Sequence, residues 1–280
     1  SIVVWLQFLF LLGYIATHRH YRPFSLMSRL ELPDLKTILG LLKIGLPIAV
    51  AIAVEGSLFV GAALLIGRLG PVPAAAHLIA INFAALVFMI PIGLSSAISI
   101  RVGNALGRGE PESARYAGRI GLLIILGFQT VSALMMFLFP EVIVRIYTDD
   151  VAVGSLAVSL LFYAAIFQYP DGIQMVMAGA LRGYKDTRMP MLYTMVAFWI
   201  VGMTLGYTLT FNRGMGPAGM WIGMIAGLTV AAALMLRRFH HTGNRCIAEG
   251  SEPTQATASM PPGPPCAVVR LSCGCFATSL

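Results

Sequence analysis

Apolar residues run through this chain in long unbroken stretches and do not alternate with polar ones. Seven such segments stand out, at roughly 1–17, 37–67, 74–100, 117–140, 151–181, 190–211 and 217–236. A helix needs about 20 apolar residues to cross a bilayer, so the pattern predicts spanning helices. The longer segments leave room for tilt, or for helix ends that project beyond the lipid. The strands of a membrane barrel would alternate instead. The expected fold class is therefore an all-α polytopic membrane protein, with six helices over 37–238 preceded by one more at 1–17.

The first run, "SIVVWLQFLFLLGYIAT", has neither a basic leader nor a small-residue cleavage site, so it is not a signal peptide. It begins at Ser1 and reads as a truncated helix, the chain as a piece of a longer protein.

The connections alternate in charge. Arg19, Arg22, Arg29 and Lys36 fall in the loop 18–36, and Arg101, Arg108, Arg115 and Arg119 in 101–119. Arg182, Lys185 and Arg188 fall in 182–189, and Arg237 and Arg238 close the last segment. The intervening connections carry a single base each: Arg68, Arg145 and Arg213. Basic loops stay in the cytoplasm. The loops 18–36, 101–119 and 182–189 and the C-terminus are thus expected to be cytoplasmic, in a multi-pass membrane protein.

Composition strengthens this picture. The chain of 280 residues is 58% hydrophobic and only 11% charged, with a mean hydropathy of +0.81. Soluble domains carry about 25% charged residues. The net charge of +7 could suggest nucleic acid, but the bases punctuate apolar runs and form no polar face, so the partner is the lipid bilayer and no nucleic acid is expected. Gly219, Gly223 and Gly227 share one helix face, as do Gly202 and Gly206, a spacing that lets helices approach closely. From 239 to 280 the sequence turns polar and Pro-rich, and is expected to be disordered or non-native. All four cysteines, Cys246, Cys266, Cys273 and Cys275, lie there at no zinc spacing and carry no expected role.

Twelve acids occur, and only Glu55 and Asp171 fall well inside apolar segments. An acid at mid-bilayer costs a few kcal/mol even on lenient scales, so it marks either a structural hydrogen bond or a functional site. A pair in one bundle favours function. Gln168 and Gln174 lie three residues either side of Asp171 on its helix face. Pro170 removes a backbone donor, and Gly172 is expected to loosen the helix. Pro47 precedes Glu55 by two turns, Asn82 is a polar residue expected to be buried on the next helix, and Pro91 marks another bend. Bent helices with carboxylates at mid-membrane are how ion sites are built in lipid. Such a carboxyl can carry a proton from one side to the other. Ionised, beside amide oxygens, it can hold a monovalent cation or a cationic drug. No enzyme site emerges: no Ser/His/Asp arrangement is plausibly placed, and "GNALGRG" lacks the strand and the Lys-Ser/Thr of a phosphate loop.

Three stretches carry a resemblance: "KIGLPIAVAIAVEGSLF", "AAHLIAINFAALVFMIPIGLSSAISIRVGNALGRG" and "YPDGIQMVMAGALRGYKDTRMPM". In order and spacing they resemble the multidrug and toxic compound extrusion (MATE) family, in its NorM-like branch, from residue 1 to about 238. The resemblance implies a twelve-helix transporter of two six-helix lobes, with this chain holding the sixth helix and the C-terminal lobe and lacking the N-terminal one. It implies an antiporter of the bacterial inner membrane that exports organic cation drugs, with Na⁺ or H⁺ as coupling ion and no other cofactor. Glu55 and Asp171 match the family's ion-coupling acids, any Na⁺ being held there and no other metal expected. Asp149 matches an acid near the outer mouth, where a plain solvated role is equally open. Phe88 stands where some relatives have a tyrosine facing the cation, keeping the ring face but losing the hydroxyl. Met89, Gln168 and Gln174 are implied as further cavity-lining residues. A lipid-linked oligosaccharide flippase of the same superfamily is the nearer rival, expected to show a basic cavity, and an inert membrane fragment is the other.

Overall fold

The computed structural model describes residues 2–17 and 34–251. Among them every regular element is helical. The helices are α1 (Ile2–Thr17), α2 (Leu35–Gly67), α3 (Pro71–Gly107), α4 (Pro111–Leu138), the short α5 (Pro140–Arg145), α6 (Val151–Gly183), α7 (Arg188–Asn212) and α8 (Pro217–Ser251). Six of them, all but α1 and α5, are long and apolar enough to cross a membrane. The chain is a multi-pass α-helical membrane protein, as its hydropathy predicts. It divides after Lys43 into two compact units. In the first, α1 is a single apolar helix with Trp5 edge-on to Phe8. The second unit, from Ile44 onward, holds the helix bundle.

The helix boundaries have local causes. Prolines open α3, α4 and α5, where a missing N–H costs nothing. Gly70, Gly109, Gly214 and Gly216 take positive φ in the turns, a backbone region that disfavours side chains. Asp150 caps α6, its Oδ1 accepting from the N–H of Ala152 at 2.8 Å and of Val153 at 3.0 Å.

Helix α6 is central, packing on α3, α4 and α8. Its contact with α3 depends on absent side chains: a Cβ on Gly183 would lie 2.7 Å from Val102 Cβ, and one on Gly179 would run into Ser95. The two glycine stripes that the sequence marks for close packing meet one another. A Cβ on Gly223 of α8 would sit 2.6 Å from the Gly202 carbonyl oxygen of α7, and one on Gly227 2.8 Å from that of Ala197. Two stretches of α7, Val196–Met203 and Thr208–Asn212, are π-helical. Helix α2 meets the rest through its second half, burying Leu58, Ala62 and Ile66 and accepting the Trp199 indole N–H on Ser57 Oγ at 3.1 Å.

Pro47, Pro91 and Pro170, the expected bend points, each lie inside a helix that continues past them. Two expectations are corrected. Gly172 is not loose: a Cβ there would lie 2.9 Å from Ile125 Cγ1 of α4, so its role is close packing. The polar tail is not disordered from 239. Helix α8 continues to Ser251, because Phe239, Thr242 and Cys246 recur at helical spacing and are buried. Phe239 stacks edge-on to Tyr184 with ring centroids 6.1 Å apart, over the space left by Gly118. The remaining expectations for 252–280 and for the loop up to residue 33 lie outside the described residues.

Candidate functional site: a cavity with two carboxyls and one guanidinium

A cavity of about 540 Å³ opens between α2, α3, α6 and α7. Each helix lines it with one stripe at 3.6-residue periodicity. Helix α2 gives Ile48, Ala51, Ile52, Glu55, Gly56 and Phe59, and α3 gives Ile81, Ala84, Ala85, Phe88, Ile92 and Ser96. Helix α6 gives Phe167, Asp171, Gln174, Met175, Ala178 and Arg182. Thr187, Pro190 and Thr194 close one end, with Met235 of α8.

Glu55 and Asp171 thus share one chamber although 116 residues separate them in the chain. Asp171 is buried and Glu55 half-buried. Among the described residues, Glu55 Oε1, Asp171 Oδ1 and Gln174 Oε1 are buried and accept no hydrogen bond. Buried polar atoms are nearly always partnered. Three buried, unpartnered oxygens thus belong to residues that line one cavity, and hard oxygens suit a proton or a hard monovalent cation. The walls are apolar and partly aromatic. Phe59 and Phe167 stack edge-on with centroids 6.0 Å apart, Phe167 rests on Trp221 at 5.6 Å, and Trp221 on His77 at 5.7 Å.

Of the residues singled out in the sequence, the cavity gathers Glu55, Asp171, Phe88 and Gln174. Others stand elsewhere. Asn82 is not buried; it lies on an exposed face of α3, its amide donating to the Leu78 carbonyl at 2.8 Å. Met89 is 59% exposed, one residue round the helix from the lining position Phe88. Gln168 is buried away from the cavity, where its carbonyl accepts from Gln129 Nε2 at 3.0 Å, bracing α6 against α4. Asp149 is exposed beside the α6 cap, about 30 Å along the helix from Asp171.

Sequence reasoning missed Arg182. Counting charges assigns it to a loop, but α6 extends to Gly183 and carries Arg182 into the cavity. Its Nη2 donates to Ser95 Oγ at 2.6 Å, and Ser95 Oγ in turn donates to the Met175 carbonyl at 2.7 Å. The signal was present: Arg182 follows Asp171 by eleven residues, close to three whole turns, so both lie on one face. The charge lining the cavity is therefore not purely acidic.

Comparison with known proteins yields a coherent set. The MatE family profile matches residues 47–208. The chain is 50% identical over 248 residues to the "Probable multidrug resistance protein NorM" of Xanthomonas axonopodis pv. citri, covering 89% of this chain and 54% of that protein. It is 44% identical over 249 residues to the multidrug resistance protein PmpM of Pseudomonas aeruginosa, covering 88% and 52%. The fold superposes on the crystal structure of the eukaryotic MATE transporter AtDTX14 with a TM-score of 0.78 at 22% identity, covering 88% of this chain and 56% of that one. The chain spans about half the length of the curated relatives it matches.

Proposed function

We propose, from the premise that this chain belongs to the MatE family, that its cavity is the cation and drug site of an antiporter. In this reading, aromatic organic cations leave the cell as Na⁺ or H⁺ enters. The observation that carries it is the pair Glu55 and Asp171, brought together in a chamber walled by Phe59, Phe88 and Phe167 with their buried oxygens unpartnered. An apolar pocket with a few convergent polar groups is the usual form of a small-ligand site. A drug cation gains from the ring faces and the carboxylates together. A coupling ion that takes the same oxygens displaces it, which is competition between states of one protein. Such chemistry moves the drug and the coupling ion without converting either, so the reading is transport and not enzymatic catalysis.

The test is efflux of ethidium from everted vesicles carrying the full-length transporter, with Na⁺ and pH gradients imposed separately. Glu55→Gln and Asp171→Asn are each expected to abolish gradient-driven efflux while membrane insertion is unchanged. Undiminished efflux in either variant would sink the assignment, and the gradient that drives the wild type names the ion. A second reading, movement of a phosphate-bearing lipid, draws on Arg182 in the cavity. Two carboxyls against one guanidinium weigh against it.

A further inference from the structure

Three ionisable side chains line the cavity: Glu55, Asp171 and Arg182. A guanidinium stays protonated in proteins, so Arg182 is a permanent cation inside the chamber. It is held neither loosely nor by an acid. Nη2 is fixed to Ser95 Oγ, which is itself fixed to the backbone of α6, and this occurs where Gly179 brings α3 and α6 into contact. Arg182 Nε and Glu55 Oε1 are both buried, and neither has a hydrogen-bond partner among the described residues. Arg182 and Glu55 nevertheless line the same cavity. With both carboxyls ionised, the chamber holds one net negative charge and not two.

We propose that Arg182 is a tethered resident counter-cation, parked on Ser95, that limits the cavity to one monovalent cation at a time. The proposal rests on the transport-site reading above and adds what sets its capacity. Drug and coupling ion then exclude one another because the second carboxylate is already balanced. The tether keeps the guanidinium short of Glu55, which leaves that acid open to the transported cation. Without the tether Arg182 would compete for it.

Ethidium binding to the full-length transporter in lipid nanodiscs, followed by fluorescence titration, tests this. The wild type is expected to bind one ethidium per chain. Arg182→Gln is expected to bind it on the order of tenfold more tightly, because a like charge near the site is gone. Arg182→Lys is expected to stay near wild type. Ser95→Ala is expected to bind several-fold more weakly, because the released guanidinium pairs with Glu55. Opposite shifts in Arg182→Gln and Ser95→Ala are what a merely structural role would not produce. Unchanged or weaker binding in Arg182→Gln overturns the inference. If Arg182→Gln fails to fold, wild-type affinity in Ser95→Ala overturns it alone. Loss of binding in Glu55→Gln and Asp171→Asn beside an unmoved Arg182→Gln sinks this inference and leaves the transport site standing. A wild type that does not bind ethidium sinks both.

Discussion

Phe88 and Asn82 stand six residues apart on α3 and meet different surroundings. Phe88 lines the cavity, whereas Asn82 points outward and satisfies its amide on its own helix. Phe88→Ala is therefore expected to weaken ethidium binding several-fold, by loss of a ring face worth about 0.5–2 kcal/mol. Asn82→Ala is expected to leave it within a factor of two in the same titration. Asn82 and Phe88 show how far a sequence reaches at this scale. Glu55 and Asp171 could be picked out one by one, because an acid in an apolar run is costly wherever the chain goes. Which neighbours share their chamber depends on rotation about each helix, where a step of one residue turns a side chain by about 100°. That step separates Met89 from Phe88 and Gln168 from Phe167.

Helix against helix, the decisive features are small residues. Gly223 meets Gly206 and Gly202 with no room for a side chain. Gly223→Val is expected to lower the unfolding free energy by about 1–3 kcal/mol or more, read by thermal melting in detergent. Gly127→Ala is the control, since a Cβ there meets nothing within 4 Å, and it is expected to shift stability by less than about 1 kcal/mol. The turn after α6 gives a pH signature. Burial, and after it the nearby Cys246, push the Tyr184 phenol up to about 12, with Arg115 acting the other way. A folded-state value above the ordinary 10.0 means the neutral phenol is favoured on folding. Its contribution is fully present below pH 10 and is lost as pH rises toward about 12. Melting temperatures across that window are expected to fall in the wild type by an increment that is absent in Tyr184→Phe.

At the scale of the molecule, six spanning helices fix an alternation of sides. With the basic connections inside, a cysteine introduced at Gly109 or Lys185 is expected to react with an impermeant maleimide only from the cytoplasmic face. One at Gly70 or Gly214 is expected to react only from the other. The same reagent reaching Gly109 and Gly70 from one side would refute the topology. The partly buried ion pair of Arg238 with Asp186, at 2.8 Å, ties the end of the α8 span to the turn after α6, so those two segments share a side by direct contact.

The sequence by itself determined the class, the number of spans and the two acids, because hydropathy and the cost of burying charge act locally and leave their mark residue by residue. It marked the glycine faces of α7 and α8 for the same reason, since close approach needs small residues at fixed spacing. Tertiary structure alone decided what those acids face. It moved Arg182 from a loop into the cavity and carried α8 on to Ser251, and it set Asn82, Met89, Gln168 and Asp149 outside the chamber. Those outcomes depend on how helices rotate and pack against one another, and periodicity along one chain does not encode where a partner helix will lie.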